Sequence, residues 1–494
     1  MTKKLYLYGA LLFGITFSMS SCIKERSNTT GWTYNDPSMG GFEKANYFDQ
    51  ETGPGLVLIE GGRFTMGKTE QDIFYSHDNI QRTVTVSSFY MDETEVRNID
   101  YREYLYWVER VFGLDYPEVY RQALPDTLGW RSRMAFNEPY VKYYLRHPAY
   151  NDYPVVNVSW LQATDYAAWR TDRVNEMILI REGLFEKNPN QIGEDNFNTE
   201  AYLHDQYHSG KRIDGLIDLD PNKDTRNVRI EDGILLPEYR LPTEAEWEFA
   251  AIGLIGNTYG ELIVEHKFYP WNGHGVRNAD NRYLGFMLAN FRRGRGDMMG
   301  VAGQLNDGAE ITAPVYSYWP NDYGLYNMAG NVSEWVMDVY RPLSSQDMDD
   351  FRPFRGNVFK TLVLDEEGYV EDKDSLGRLK YREVNAEDDN LDERRNYKRA
   401  DVIDYRDGDL ASSIYYGDKE RYDEMGGTNG SAMYDYGNTT LVNNKTRVYK
   451  GGSWNDRAYW MTPGTRRHLE EDQSSPQIGF RCAMIRVGSP SGIY

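Results

Sequence analysis

The residues that offer the most reactive chemistry in this sequence are its two cysteines, Cys22 and Cys482. A cysteine thiolate is a nucleophile and a ligand for soft metals such as Cu(I). So few cysteines exclude a disulfide framework, and they lie near opposite ends of the chain. Cys482 shares one face of an alternating apolar stretch with Phe480, which predicts a buried and unreactive thiol.

Residues 449–485, which include that stretch, have the densest and most specific pattern in the chain. Gly451 and Gly452 predict a tight turn before Ser453, because glycine adopts positive φ without strain. Residues 478–484 then predict a short closing strand. The segment thus offers a glycine turn, polar and aromatic side chains and a strand within a short length of chain.

The context of Cys22 indicates a targeting function. Residues 1–21 begin with Lys3 and Lys4, continue with an apolar run over residues 5–17, and end in small serines directly before Cys22. This is the pattern of a lipoprotein signal peptide, in which the cysteine is acylated and becomes the mature N-terminus. The apolar run is too short to span a bilayer. The alternative is an ordinary secretory cleavage site with a cysteine there by chance.

Composition divides the chain after the signal peptide into three parts. Residues 22–54 are polar and predict a lipidated tether, residues 55–487 predict one folded domain, and residues 488–494 a C-terminal tail. Two polar, charged and aperiodic tracts at about 182–232 and 341–446 predict insertions in that domain. The larger insertion is interpreted either as a solvated loop or as a surface that docks a partner.

Helix signals are few and local. Ser159 with Gln162, and Thr243 with Glu246, have the spacing of capping boxes at helix starts. Asn98 is a further candidate N-cap, before a stretch with apolar residues at helical spacing. Residues in the region 55–67 predict two short strands joined by a Gly-Gly turn. Short strands with few helices indicate an α+β fold with large loop insertions.

The formal net charge of the chain is −21. Such a charge argues against nucleic acid as a partner, because the phosphates would repel the chain. It is compatible with hard cations such as Ca²⁺. An H-x-x-x-H pattern at His204 and His208 imitates a zinc-protease motif, but it lies in a polar tract without an evident third ligand.

Several strings resemble those of the formylglycine-generating-enzyme (sulfatase-modifying factor) superfamily. They are LVLIEGGRFTMG, FYMDETEV, RLPTEAEWEFAA, NMAGNVSEWVMDVY, VYKGGSW and IGFRC, in this order along the chain. The resemblance extends over nearly all of the mature chain. It implies an irregular α+β fold that is similar to C-type lectins, with short strands, few helices and loop-rich surfaces.

The resemblance also implies two calcium sites built from oxygen ligands, which suit a hard cation. The first would use the side chains of two residues and the backbone carbonyls of two others. These residues are Asn327, Gly330, Val332 and Glu334. The second would use Asn290 and Asp307 through side chains, and Phe291 and Ala309 through carbonyls.

The catalytic residues of the family are missing. Active members have cysteines three and eight residues after the serine of the GGS motif, and these bind Cu(I) as thiolates. Here those positions hold Asp456 and Met461. A carboxylate and a thioether do not replace a thiolate pair, so we expect no copper and no formylglycine chemistry.

The same strings, together with TGW near Cys22, resemble the gliding-motility lipoproteins of the GldJ and GldK (PorK) type of Bacteroidetes. This resemblance implies a non-enzymatic scaffold of the type IX secretion and gliding machinery. It would be anchored in the outer membrane by lipid on Cys22, face the periplasm and bind a GldN/PorN-like partner. The alternatives are an enzyme that uses the same pocket and a calcium-dependent ligand-binding module.

Overall fold

The computed structural model describes residues 25–68, 79–133, 135–209, 211–212, 216–220, 225–253, 267–293, 309, 311–340, 360–383 and 445–488. Within these ranges, no helix has the length and apolar character needed to cross a bilayer. Cys22 lies outside the described residues, so its acylation stays a prediction.

Helices are few in the described part of the chain. In chain order they are α1 (Asn98–Phe112), α2 (Pro117–Ala123), α3 (Glu138–Tyr143), α4 (Trp160–Arg181), α5 (Thr199–Leu203) and α6 (Glu244–Ile252). Several single turns of 3-10 helix connect them.

The strands are short, as expected for this fold class. In chain order they are β1 (Leu56–Ile59), β2 (Gly62–Met66), β3 (Arg82–Val86), β4 (Phe89–Asp92), β5 (Phe185–Glu186), β6 (Lys211–Arg212), β7 (Leu216–Ile217), β8 (Thr225–Arg226), β9 (Tyr239–Arg240), β10 (Ser333–Val339), β11 (Lys360–Leu362), β12 (Tyr381–Glu383), β13 (Thr446–Lys450), β14 (Arg467–Glu470), β15 (Ile478–Gly479) and β16 (Ala483–Ile485). The α+β fold with short strands and few helices is thereby confirmed.

Two four-stranded sheets carry the core. The first has the order β1-β4-β16-β9, so β16, the last strand in the described residues, lies in its interior. The second has the order β14-β13-β10-β15, with β10 pairing antiparallel to β13 and parallel to β15. The single closing strand predicted over residues 478–484 is therefore wrong, because this stretch forms two strands, β15 in the second sheet and β16 in the first.

The two short strands predicted within residues 55–67 are confirmed, but they do not pair with each other. β1 pairs with β4 in the first sheet, whereas β2 pairs with β3 in a separate two-stranded sheet. Gly61 lies between the two strands, and a side chain there would meet the backbone of Ser87 at 2.4 Å. The glycine pair thus permits a close passage between two sheets instead of a tight hairpin turn.

Both capping boxes are confirmed. Ser159 Oγ accepts from the amide of Gln162, whose side chain accepts in turn from the amide of Ser159, at the start of α4. Thr243 and Glu246 make the same pair of bonds at the start of α6. These reciprocal bonds satisfy amide groups that a helix start leaves unpaired.

The third cap was assigned to the wrong residue. Arg97 is the N-cap of α1, and Asp100 accepts from the Arg97 amide and pairs with its guanidinium. The buried Asn98 side chain instead donates to the carbonyls of Tyr144 and Tyr150. Asn98 therefore joins α1 to a neighbouring loop rather than closing the helix start.

The smaller insertion is folded in its described part, although its polar and aperiodic sequence is typical of a surface loop. It contributes to its own hydrophobic cluster beside the end of α4. The buried members of this cluster are Leu179, Phe185, Phe197, Tyr202, Tyr207 and Val228. Aromatic residues spaced irregularly along a polar tract form a core that no helical or strand period announces.

The described part of the larger insertion, residues 360–383, packs against the smaller one. Gln206 donates to the carbonyls of Val370 and Glu371 and accepts from the amide of Lys373. Lys373 Nζ also donates to the carbonyl of Glu194 at 2.7 Å. The two insertions thus form one elaboration, which we call the insertion lobe: residues 182–232 and 360–383 as far as they are described.

Residues 25–54, expected to be a tether, contact the folded domain. Glu43 pairs with Arg226 in the insertion lobe, and Glu51 pairs with Arg181 at the end of α4. Gln50 exchanges two hydrogen bonds with the backbone of Ile485 and Val487. The boundary at residue 55 remains a prediction, but the described part of the segment lies against the domain.

Candidate functional site

Asp456 occupies the first of the two positions at which the family resemblance implies a cysteine, and its carboxylate is fully engaged. Arg467 of β14 donates to both carboxylate oxygens, at 2.7 Å each. The amide of Ser453 donates to the same carboxylate at 2.9 Å. The guanidinium of Arg467 lies 4.8 Å from the ring centres of both Tyr449 and Trp460. A bidentate pair held between aromatic rings is a rigid structural contact.

Met461 is completely buried. It packs in a hydrophobic cluster with Tyr269, Met287, Phe291 and Ala329. The thioether therefore fills a core position and is not presented to a metal or to solvent. The two positions of the degenerate site serve an ion pair and a hydrophobic core, respectively.

The calcium prediction centres on Glu334, which lies at the start of β10 and is buried. Arg481 donates to both of its carboxylate oxygens at 2.6 Å, and Trp247 Nε1 donates to one of them at 2.7 Å. Arg481 is also fully buried, and its remaining N–H groups reach the carbonyls of Asp92 and Tyr326. The cation that neutralises Glu334 is thus supplied by the chain itself.

A second buried carboxylate shares this environment. Glu95 accepts from Asn327 Nδ2 and Asn331 Nδ2, at 2.9 Å each. Burial raises the pKa of Glu95 to about 7, against the opposing effect of Arg481 and with a further contribution from Glu334. Arg481 thus lies near two carboxylic acids, Glu334 and Glu95, and Glu95 keeps its proton up to about neutral pH.

The turn before β10 is sharply folded. Asn327, Gly330 and Asn331 all have positive φ, at 54°, 77° and 63°. A side chain at Gly330 would meet the carbonyl oxygen of Asn290 at 2.5 Å. This close approach brings the two predicted calcium segments together, because the amide of Asn331 also donates to the Asn290 carbonyl.

The second predicted calcium site is seen only in part. Asn290 is buried, and its side chain donates to the carbonyl of Ile311 and to Asn331 Oδ1. Phe291 is buried. Ala309 is described without its neighbours in the sequence, and Asp307 lies outside the described residues. The site therefore lacks its one carboxylate in the described part of the chain.

The fit of these residues to Ca²⁺ is incomplete. The carbonyls of Gly330 and Val332 and the amide of Asn327 are suitable oxygen donors. The carboxylate of Glu334, however, is already paired with Arg481. Among the described residues, no group of three or more His, Cys, Asp or Glu side chains is placed to hold a metal ion. Calcium at either site stays a prediction.

Two arginines near the end of the described chain have partners that are far away in sequence. Arg481 pairs with Glu334 of β10. Arg466 pairs with Glu244 of α6, as part of a buried network that includes Lys450. Although burial opposes ionisation, Arg466 and Lys450 lower the pKa of Glu244 to about 2.

Sequence reasoning missed Glu95 and the partners of Asp456 and Glu334. The signal that was available is Arg481 itself, because a charged residue between Phe480 and Cys482 in an apolar strand requires a buried counter-ion. The identity of that counter-ion has no local signal, since Glu334 lies 147 residues earlier.

Arg481→Met tests the buried pair. We expect the free energy of unfolding to fall by about 3–5 kcal/mol, because the substitution leaves Glu334 buried without its cation. Arg181→Met, which removes an exposed pair with Glu51, is the matched control and should lower the free energy of unfolding far less than Arg481→Met does. Denaturant unfolding measures both, and equal losses would contradict the structural importance of the pair.

The pKa of Glu95 predicts a pH dependence of stability. Because this pKa is raised from 4.5 to about 7 on folding, the native state binds more protons between these values. Stability therefore falls as pH rises through this window, by about 3 kcal/mol for a shift of this size. Glu95→Gln should remove that part of the slope, whereas the exposed control Glu60→Gln should retain it. An unchanged slope in Glu95→Gln would refute the assignment.

The calcium prediction is tested by the calcium-dependent part of the melting temperature. Added Ca²⁺ should raise the Tm of the wild-type protein by mass action, and Glu334→Ala should abolish this rise. Because Glu334 also pairs with Arg481, the substitution lowers the Tm in chelator as well. Only the difference between Ca²⁺ and chelator is informative, and no difference in the wild type would end the calcium assignment.

Comparisons with known proteins identify related domains. The model of the sulfatase-modifying factor enzyme 1-like domain matches residues 41–383. The inactive C-alpha-formylglycine-generating enzyme 2 of Mus musculus is 27% identical over 318 residues, which is 60% of this chain and 72% of that protein.

The formylglycine-generating enzyme of Mus musculus is 27% identical over 301 residues, 57% of this chain and 58% of the enzyme, so the match spans somewhat more than half of the enzyme. Among solved structures, PvdO from Pseudomonas aeruginosa aligns over 87% of this chain and 94% of its own, with 15% identity and a TM-score of 0.41. On the extent of the domain match, the chain belongs to the sulfatase-modifying factor family.

Proposed function

We propose that this protein is a non-enzymatic member of its family that acts as a scaffold in the type IX secretion and gliding machinery. It is anchored by acylated Cys22 in the outer membrane and faces the periplasm. The observation that carries the loss of catalysis is the ion pair between Asp456 and Arg467, together with the buried position of Met461.

The chemistry of these contacts opposes a Cu(I) site. A cation at Asp456 would have to displace the guanidinium of Arg467, which donates two hydrogen bonds to the carboxylate. Met461 would have to leave a hydrophobic cluster, and its thioether carries no charge to stabilise the metal. Cys482 does not compensate, because it is fully buried and burial raises its pKa to about 12.

The rest of the architecture supports a scaffold. The strands of the insertion lobe lie outside the two four-stranded sheets, and the lobe packs against α4 through its own aromatic cluster. The mouse relative named an inactive formylglycine-generating enzyme shows that a catalytically silent relative of this fold exists. The type IX context is supported by the strings shared with gliding-motility lipoproteins, and a GldN/PorN-like periplasmic protein is the proposed partner.

Copper chemistry is the direct test. We expect the purified wild-type chain neither to bind Cu(I) nor to oxidise a cysteine-containing peptide, because no pair of thiolates is available. Asp456→Cys with Met461→Cys restores thiols at both positions and serves as the positive control for Cu(I) binding. Copper-dependent oxidation of the peptide by the wild type would overturn the non-enzymatic proposal.

The scaffold proposal predicts which part of the chain matters in cells. Asp456→Asn with Met461→Leu conserves shape at both positions, so cargo secretion and partner co-purification should persist. Deleting residues 384–444 retains the packed segment 360–383 and should remove the partner from pull-downs. Loss of secretion in the folded double variant would reinstate a chemical role, and full function of the deletion would refute docking by that tract.

A further inference from the structure

The described N-terminal segment has a local fold of its own. Asn35 donates to the carbonyl of Lys44 and accepts from its amide, at 3.0 and 2.7 Å. Lys44 pairs with Glu25, and an isolated bridge joins Arg26 to Thr33. These contacts close residues 25–44 into a compact loop, which with its continuation to residue 54 we call the N-terminal arm.

The N-terminal arm is docked through a charged contact of low exposure. Glu43 accepts from Arg226 Nε at 2.7 Å and from the amide of Leu219 at 3.1 Å. Arg226 is held in place by Asp232, which accepts from it at 2.7 Å. Gly41 lies so close that a side chain there would meet the carbonyl of Leu219 at 2.8 Å. The arm is therefore fixed to the insertion lobe rather than hanging free.

The outer surface of the arm is rich in exposed aromatic side chains. Trp32, Phe42, Tyr47 and Phe48 are 57%, 65%, 64% and 80% exposed. The Trp32 ring lies against Gly40, and the Phe42 ring contacts the Tyr34 ring at 5.6 Å between centres, so both side chains pack within the arm. Ordered apolar side chains exposed in one short segment mark an interaction surface.

The short stretch of chain between Cys22 and the arm indicates that the exposed aromatic surface contacts the lipid bilayer. Three residue steps separate Cys22 from Glu25, and even a fully extended chain spans about 10 Å over that length. An acyl group on Cys22 therefore brings the start of the arm to the surface of the bilayer. Trp and Tyr side chains favour the interface between lipid and water, because an apolar ring and a polar group are both accommodated there.

We propose that the N-terminal arm lies between the domain and the bilayer, with Trp32, Phe42 and Phe48 in contact with phospholipid. We call this arrangement the collar. The docked arm then fixes the orientation of the insertion lobe relative to the membrane. The proposal rests on the acylation of Cys22 that the proposed function includes. A free tether, in contrast, would let every exposed surface approach the lipid equally often.

Site-directed fluorescence on the full acylated chain tests this collar. With Cys22 acylated and Cys482 buried, a cysteine introduced at the surface is the reactive thiol for a polarity-sensitive label. The labelled positions are Phe42→Cys and Phe48→Cys, with Phe136→Cys as the matched control, since Phe136 is 83% exposed outside the arm. The protein is reconstituted in phosphatidylcholine and phosphatidylethanolamine vesicles that contain a spin-labelled, quenching lipid.

We expect the labels at 42 and 48 to shift to the blue and lose most of their fluorescence to the lipid quencher, while the label at 136 remains unquenched. Two arm positions are labelled so that a local folding defect in one variant does not decide the result. Equal quenching at all three positions indicates a free tether and overturns the collar. So does an unquenched arm that crosslinks to a protein in native membranes.

A separate measurement distinguishes failure of the anchor from failure of the collar. Flotation of the vesicles reports whether the chain is membrane-bound at all, and Cys22→Ala provides the unanchored reference. A chain that floats with unquenched labels at 42 and 48 refutes the collar and leaves the anchor intact. A wild-type chain that fails to float refutes the acylation on which the proposed function depends.

Discussion

The burial of Arg481 is the constraint on which much of this structure depends. A guanidinium in a dry interior is tolerated only if its charge and its N–H groups are satisfied. Glu334 supplies the charge, and the carbonyls of Asp92 and Tyr326 supply further acceptors. The pair joins the closing segment of the chain to the start of β10, and Trp247 of α6 donates to the same carboxylate. Both sheets and one helix are therefore positioned by a single ion pair.

Signals that act over a few residues were readable in the sequence. The capping boxes at Ser159 and Thr243 are local because donor and acceptor lie three residues apart. The α+β class and the family followed from the strings around the core strands. The partner of Arg481 could not be found in this way, because the contact joins distant parts of the chain. Asn98 was misplaced because its side chain serves a tertiary contact instead of the helix start.

The candidate site shows the same difference between local signals and distant contacts. The sequence predicted the absence of a thiolate pair at Asp456 and Met461, because residue type alone decides it. It did not predict what replaces the metal, since Arg467 reaches Asp456 only after β14 has paired with β13. The cluster of the insertion lobe was also missed, because its aromatic residues follow no period. Composition correctly marked this tract as different, but it did not reveal that the tract is packed.

The position of β16 has a consequence for how the chain becomes a folded protein. This strand lies between β4 and β9, although both of these strands precede it by long stretches of sequence. The first sheet therefore cannot close until β16 is available, and its contacts join strands that are distant in sequence. Sheets with such distant contacts fold slowly, because long loops lose conformational entropy before the stabilising contacts form. We therefore expect the arrival of β16 between β4 and β9 to limit the rate at which the first sheet forms.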